Sequence, residues 1–458
     1  MHARFTAVVS LTLAALVAPT ALDAQDTTAT RDSLARRVQQ LERTVDSLRA
    51  TAERQDERLM ELDERSAAQQ GVPAQPQLPG DTTRRTIPSA RGIYGKPFVK
   101  RFGGGTAIGG YVDFEYTNDL DGHASSFDQH RLIPFLFAEI TDRLHFGTEI
   151  EFEHGGNVEV EDGKAGGGGE INVEFATLDY RISEAFNVRG GIVLSPLGRF
   201  NLVHDSPVNE LTDRPLLSTY VEPTTLSESG FGFFGTTYPS ERTLLSYELY
   251  VVNGFTPGIF EVEDDGTALL RVREGRGLRG EDDNFAKSVV GRVAFSPFLG
   301  LELGASAHTG KFAARDGTFS GDERLTIWGV DATWQRGPVE LLGEYGQLHT
   351  DVPATLAAAG AAGRQNGYYV QGSYHFGHGV IPPRATSVFT GTARWDHVDL
   401  DRDASGDALD RLTVGVNWRP VPDAVLKTDF QWNWNTPPGS TDRGDVQRRL
   451  LLSMAAYF

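Results

Sequence analysis

The stretch 448–458, RRLLLSMAAYF, poses the question that the rest of the chain answers. Leu450, Leu452, Met454, Ala456 and Phe458 fall on one side of an extended backbone. Arg449, Leu451, Ser453, Ala455 and Tyr457 fall on the other. A period of two is a strand, not a helix. A terminal strand left in water is ordinarily polar or frayed at its tip. This one is apolar to Phe458, so one of its faces must meet something other than water.

The same alternation continues backwards to about residue 106. YVDFEY sets Val112, Phe114 and Tyr116 against Asp113 and Glu115. LHFGTEIEFE sets Leu144, Phe146, Ile150 and Phe152 against His145, Glu149, Glu151 and Glu153. TIWGVDATW and LKTDFQWNWN repeat the pattern with Trp328, Val330, Phe430, Trp432 and Trp434 on the apolar side. A soluble sandwich and a membrane barrel share this alternation.

The connections separate the two. Sixteen segments begin near residues 106, 127, 143, 170, 186, 229, 241, 285, 299, 324, 337, 366, 385, 408, 422 and 446. Their links alternate long and short. TNDLDGHASS is followed by TDR, HGGNVEVEDGKAGGGG by SEA, and the run 195–228, read as the longest connection, by PSE. Transmembrane barrels have short turns at one end and long loops at the other. Each segment approaches the ~9–11 residues a tilted strand needs to span. Backbone polar groups in lipid must pair internally, so the barrel must close. The expected fold is an all-β transmembrane barrel of about sixteen antiparallel strands over 105–458, with Phe458 in an aromatic girdle at the short-turn rim.

Bulk properties agree. The chain has 458 residues, no cysteine and a formal charge of −19. The missing thiols fit an oxidising compartment and exclude cysteine nucleophiles and thiolate metals. An acidic chain is a poor nucleic-acid partner. The first hundred residues carry 14 basic and 12 acidic groups, so the rest holds −21.

Ahead of the barrel, residues 1–24 read as a secretory signal peptide: His2 and Arg4, the apolar run FTAVVSLTLAALVA, Pro19, and small residues before a cut after Ala24. Residues 25–68 read as an α-helical coiled coil. Leu34, Val38, Leu41, Val45, Leu48, Ala52, Gln55, Leu59 and Leu62 follow a 4-3 spacing, with valine and leucine in the pattern of dimers. An amphipathic helix lying on another surface is the alternative. Residues 69–104, with five prolines from Pro73 to Pro97, read as a linker.

The polar sides of the strands supply the pore-lining candidates. The acidic ones are Asp113, Glu115, Glu149, Glu151, Glu174 and Glu248, with Glu302, Asp331, Glu340, Glu344 and Asp429 in the later strands. The basic ones are Arg189, Arg292, Arg394, Lys427 and Arg449. A wall of that sign should favour cations.

The stretch GEINVEFATLDYRISEAFNVRGGIVLSPLGRFNLVHDSPVNELTDRPLL, followed by LSESGFGFFG, resembles the phosphate-selective porin O/P family of Gram-negative outer membranes. The resemblance implies a trimeric sixteen-stranded barrel whose third external loop folds into the pore. Here that loop is 195–228, and the family's loop motif falls on Arg199, Asn201, His204 and Asp205. An N-terminal coiled coil also occurs among such relatives. The final aromatic looks like the signal read by the barrel-assembly machinery. The family's phosphate selectivity depends on lumen-facing arginines and lysines, and the acidic wall departs from that pattern.

No catalytic constellation is found in the sequence: there is no His-Glu-x-x-His and no serine in a glycine-flanked elbow. His375 and His378 sit at a turn. GKAGGGGE lacks the ending of a phosphate loop. Asp399, Asp401, Asp403, Ser405, Asp407 and Asp410 have the ligand spacing of a calcium loop, although Ala404 replaces its glycine and Asp410 its glutamate. A solvated acidic hairpin tip is the preferred reading, with no other cofactor expected. The functional expectation is a passive porin for small polar solutes, embedded in outer-membrane lipid. The alternative is a structural tether that uses the coiled coil to contact the cell wall.

Overall fold

The computed structural model describes residues 100–102 and 105–458, apart from 157–158, 162–163, 167–169, 241, 277–279, 281, 283–285 and 384–385. The signal peptide, coiled coil and most of the linker expected above lie outside the described residues. At the linker's end a short strand, Lys100–Phe102, pairs with the first barrel strand, so ordered structure begins earlier than residue 105.

Sixteen strands form the wall: β1 (Thr106–Asp119), β2 (Ala124–Glu139), β3 (Leu144–Glu153), β4 (Glu170–Arg181), β5 (Asn187–Leu194), β6 (Ser227–Ser240), β7 (Thr243–Val252) and β8 (Ser288–Phe298). Then come β9 (Leu301–Lys311), β10 (Arg324–Arg336), β11 (Val339–Thr350), β12 (Arg364–Phe376), β13 (Val388–Asp399), β14 (Ala408–Val421), β15 (Ala424–Thr436) and β16 (Gln447–Tyr457). Every strand starts within three residues of the position read from the sequence. Each pairs antiparallel with its sequence neighbour, and β16 pairs with β1 from Tyr111↔Tyr457 to Asp119↔Arg449. Gly110 and Phe458 exchange backbone hydrogen bonds of 3.2 and 2.9 Å at the seam. The barrel is closed, and no wall strand presents a free edge.

Facing follows the period of two. Phe114, Val370 and Met454 are 47%, 58% and 55% exposed on the outside, beside inward Asp113 and Tyr369 at 1% and Ser453 at 5%. An apolar outer belt of this extent is what lipid requires of a barrel wall. Aromatics gather at the short-turn end: Tyr374, Phe376, Phe389 and Trp418 form a row with successive centroids 6.3, 5.8 and 6.5 Å apart. Among the described residues no helix is long and apolar enough to cross a membrane.

Two features differ from the sequence reading. The first long link is mostly strand, because β1 and β2 extend through Asp119 and from Ala124, leaving only a tight turn. The longest connection is not 195–226 but 253–287, the fourth. The interior is also less polar than alternation implies. Tyr111, Ile133, Phe135, Phe175 and Tyr457 point inward and form an apolar cluster with Leu202. A second cluster joins Leu197, Leu217 and Val221 to Phe255, Ile259, Phe312, Ile327 and Leu348. Both exist because long loops turn into the barrel and need an apolar bed there.

Candidate functional site

The third connection, 195–226, lies inside the barrel. Its neck is cinched by Ser195 N–H donating to Leu226 O at 2.8 Å. Asn201 locks the same neck: its Nδ2 donates to Ser195 O (2.7 Å) and Leu226 O (3.1 Å), and its Oδ1 accepts from Leu226 N–H (2.9 Å). A single amide thereby satisfies three backbone groups of a buried loop, as burial demands.

Beyond the neck the loop is tied to the wall strand by strand. Gly198 N–H donates to Ser306 Oγ on β9 (2.9 Å), and Arg199 N–H to Glu344 on β11. Leu216 N–H donates to Asp396 on β13 (3.1 Å), and Asn417 Nδ2 on β14 donates to Glu210 O (2.6 Å). On β15, Lys427 Nζ donates to Ser206 O (2.8 Å), while Asp429 accepts from Thr212 N–H (2.6 Å). Tyr457 on β16 donates its hydroxyl to Asp205 (2.8 Å).

Close approach is possible because the wall is hollowed at those strands. Gly329 and Gly346 face each other across β10 and β11. A Cβ on either would lie 2.0 or 2.7 Å from Glu222 Oε1, so the pair forms a socket for that loop carboxyl. Gly415 makes room for Leu211, whose Cδ2 would lie 2.9 Å from a Cβ there, and for the wall's own Asp429. A glycine inside a strand weakens it, and close approach of another segment is one reason to keep it. The signal was present in the sequence as glycines at inward positions of successive strands, and it was not read.

The pore-lining candidates are on the inward side, but few of them meet open space. Arg292 is bidentate to Asp331 at 2.5 and 2.8 Å. Arg189 is bidentate to Asp179 (2.7 and 2.6 Å), stacks over Phe234 and donates to Tyr250, whose hydroxyl donates to Glu248 (2.6 Å). Asp113 accepts from Ser453 (2.8 Å). Glu302 and Glu340 are half-buried. Glu344 also accepts from Tyr369 (3.0 Å), and Arg394 holds Asp396 (2.9 Å). Glu149, Glu151 and Glu174, expected to share a wet face, are all buried. Glu174 gets there by a bulge: the pairing skips it between Glu149↔Phe175 and Ile150↔Val173, so Glu174 and Phe175 both turn inward. His204 Nε2 lies 3.2 Å from both Glu174 oxygens.

The sequence reading omitted Arg131, Arg411 and Arg419, which are also buried on the inward side. Arg131 bridges Glu151 (3.0 Å) and Glu153 (3.2 Å). Arg411 reaches Asp396 and Asp213, as Arg449 does Asp213, and Arg419 holds Glu210 at 3.0 Å. Part of the acidic wall is therefore paired in place, at Glu151, Glu248 and Asp331, while Arg411, Arg419 and Arg449 also serve the loop carboxylates Asp213 and Glu210.

One space that stays open is a cavity of about 290 Å³ between the loop and β1–β3. Glu115, His130, Arg131, Glu153 and His154 line it from the wall side. Thr212, Asp213 and Arg214 line it from the loop, and Arg273 from the fourth connection. Arg214 and Arg276 donate to Thr224 O at 2.8 and 3.0 Å, and Arg273 shares that carbonyl. Burial, then the neighbouring Arg214 and Arg276 guanidiniums, push Arg273 down to about 9. The opening is lined by both signs: Glu115, Glu153 and Asp213 against Arg131, Arg214 and Arg273.

The acidic tip 399–410 is differently arranged from a calcium cradle. Arg364 engages Asp403, and Asp410 is taken by His397 (2.9 Å) and Arg443 (3.1 Å). Asp399 and Asp401 accept nearby backbone N–H groups at 3.2 and 3.0 Å. Ser405 and Asp407 lie in the connecting turn, with Asp407 in the left-handed region at φ 53°.

No family model matches the sequence. An uncharacterized protein of Aquifex aeolicus (strain VF5) is 31% identical over 344 residues, which is 71% of this chain and 75% of that protein. The chain belongs to the same family as that protein. The outer-membrane channel DcaP of Acinetobacter baumannii has the same fold, with a TM-score of 0.50 at 12% identity over 78% of this chain and 99% of that one. An anion-selective porin from Comamonas acidovorans aligns with a TM-score of 0.49 at 14% identity, over 77% and 99% of the two chains.

Proposed function

We propose that this protein is a porin of a Gram-negative outer membrane: a closed barrel through which small polar or ionic solutes diffuse passively. The observation that carries this reading is the third loop, bound inside a lipid-compatible barrel yet leaving a charged cavity along β1–β3. The loop is the constriction, with Arg199, Asn201, His204 and Asp205 serving to fix it in place. The reading involves no catalysis and no cofactor. Calcium at 399–410 would have to displace Arg364 from Asp403 and Arg443 from Asp410.

Trimer formation and recognition by the barrel-assembly machinery are carried by the resemblance to the phosphate-selective porin O/P family and by the terminal aromatic. That family's substrate does not transfer on the same footing. The cavity meets Glu115, Glu153 and Asp213 as well as Arg131, Arg214 and Arg273. With arginines compensating some of the wall carboxylates, the proposed selectivity is a cation preference set by the excess acid. The second reading is a tether whose barrel is largely filled, and the apolar clusters inside the wall favour it.

Single-channel recording in a planar bilayer decides between them. Discrete conductance steps from purified, folded protein are expected. A barrel that shifts mobility on boiling, yet gives no steps, would overturn the porin reading in favour of the tether.

A further inference from the structure

Strand pairing brings together histidines that are distant in sequence. Between Asp113↔Arg131 and Glu115↔Asp128 the β1–β2 register slips, so Gln129 and His130 oppose Phe114 alone. A bulge of this kind re-aims a side chain. His130 consequently lines the cavity beside Arg131, instead of alternating away from it. On the other side of β2, Arg131 pairs with Glu153, which brings the next residue, His154, level with the bulge. The backbone of His154 is left-handed, at φ 51°, a conformation few non-glycine residues adopt, and Gly155 follows at φ 79°.

The outcome is a compact group at the long-loop mouth. His154 Nδ1 lies 2.7 Å from Asp128 Oδ2, and His130 Nδ1 lies 3.5 Å from the same oxygen. The two imidazole centroids are 5.7 Å apart at 71°. One ligand atom from each of Asp128, His130 and His154 falls within 4.8 Å of the others, which among the described residues is true of no other group of three such side chains. Glu115 stands in reserve, 3.9 Å from His130 Nε2.

We propose that Asp128, His130 and His154 form a binding site for a divalent transition-metal cation such as Zn²⁺, Ni²⁺ or Cu²⁺. Imidazole nitrogens suit these ions, whereas calcium and magnesium require oxygen ligands. Around a metal with tetrahedral bonds of ~2.0–2.1 Å neighbouring ligand atoms stand about 3.3 Å apart, so the 3.5 Å His130–Asp128 pair needs little change, and the 2.7 Å His154–Asp128 pair opens by side-chain rotation, which the exposed ring of His154 permits. Waters, or Glu115, complete the coordination. Arg131, the nearest opposing charge, is already held by Glu151 and Glu153. Arg214 and Arg273 across the cavity act against a cation, so the affinity should be micromolar rather than that of a structural zinc site. The site does not depend on conduction, so its test is separate from that of the porin reading.

The test is isothermal titration of the tag-free full chain, folded in detergent, with ZnCl₂, NiCl₂ and CaCl₂. One saturable site per chain is expected for zinc and nickel, and none at this position for calcium. His130→Ala and His154→Ala should each weaken zinc binding about tenfold or more, the scale on which altered metal shells are felt. His378→Ala, at a turn on the opposite rim, should leave it unchanged. Absence of saturable zinc uptake, or uptake that persists in the His130→Ala/His154→Ala double variant, overturns the proposal. Because changes at a bulge can disturb the wall, electron paramagnetic resonance of the Cu²⁺-loaded wild type supplies a second measurement. Hyperfine coupling to two imidazole nitrogens is expected, and coupling to one or none removes the site.

Discussion

Two arcs of the same wall treat the third loop in different ways. Along β9–β16 the inward face is recessed by Gly329, Gly346 and Gly415, and its polar side chains reach the loop backbone. Along β1–β3 the inward face is bulky and engages itself. Arg131 is bound to Glu151 and Glu153, while Tyr111 and Phe135 pack with their centroids 6.1 Å apart. The loop ties its backbone to the first arc and lays apolar side chains such as Leu202 on the second, against which the cavity opens. Free space in such a lumen is thus set by side-chain length and prior pairing around the wall, not by strand number alone.

The most severe way to break this comparison is to remove the loop. Replacing 197–225 with a short glycine-serine link should raise single-channel conductance severalfold. The wall should persist, because no strand pairing uses those residues. Heat-modifiable mobility on gels checks the wall, and planar-bilayer recording checks the pore. An unchanged conductance would place the narrow point elsewhere, with the fourth connection the first suspect.

Removing one socket should do less. Gly346→Val fills the space that Glu222 occupies, and overpacking of this kind costs about 1–3 kcal/mol. A lowered thermal midpoint is expected, together with faster tryptic cleavage after Arg214 as the loop lifts. Gly372→Ala is the matched control, because its Cβ would sit 3.5 Å from Leu341 Cδ2, an ordinary contact. Equal effects from both substitutions would mean that the glycines serve the sheet rather than the loop.

Selectivity is a subtler probe of the open arc. Glu115→Gln with Glu153→Gln alters the acids that line the cavity, and should reduce the reversal potential measured across a KCl gradient. Glu174→Gln alters a carboxylate buried against His204, and should leave that potential nearly unchanged. A larger effect from Glu174 would show that ions travel beneath the loop.

The barrel was legible in the sequence because lipid imposes the same period on every strand, so sixteen starts could be read to within three residues. The inward side was harder to read because three local effects break the period there. Bulges at Gln129–His130 and at Glu174 shift the phase, which hid the Asp128, His130 and His154 cluster and turned Glu174 and Phe175 the same way. Arg131, Arg411 and Arg419 lie outside the candidates read from alternation, and with them the pairing of Glu151, Asp396 and the loop's Glu210. Inward aromatics have no counterpart in a simple wet lumen, and a loop buried there supplies them with partners. The loop's position came from a family resemblance, because nothing in alternation tells a loop to turn inward.

The smallest expected effect tests the socket chemically. Glu222 sits between Gly329 and Gly346, and its Oε2 and Glu344 Oε1 both flank Gly198. Burial first, then the nearby charges of Glu344 and Asp331, hold its carboxyl well above the ordinary range. The folded protein therefore binds this proton more tightly than the unfolded chain, whose glutamates titrate near ~4.3. With the folded value raised, the stabilisation is complete below the unfolded value and is lost as pH rises through the folded one. Glu222→Gln keeps the shape and removes the titration, so its stability should lack that decline. The variant should match the wild type only below the unfolded value of ~4.3 and become progressively more stable than it as pH rises from there. Thermal midpoints of both proteins across pH 5 to 9 on a common buffer series measure the gap. A constant difference at every pH would mean that Glu222 is already ionised in its socket, and that the glycines of the receiving arc admit water as well as the loop.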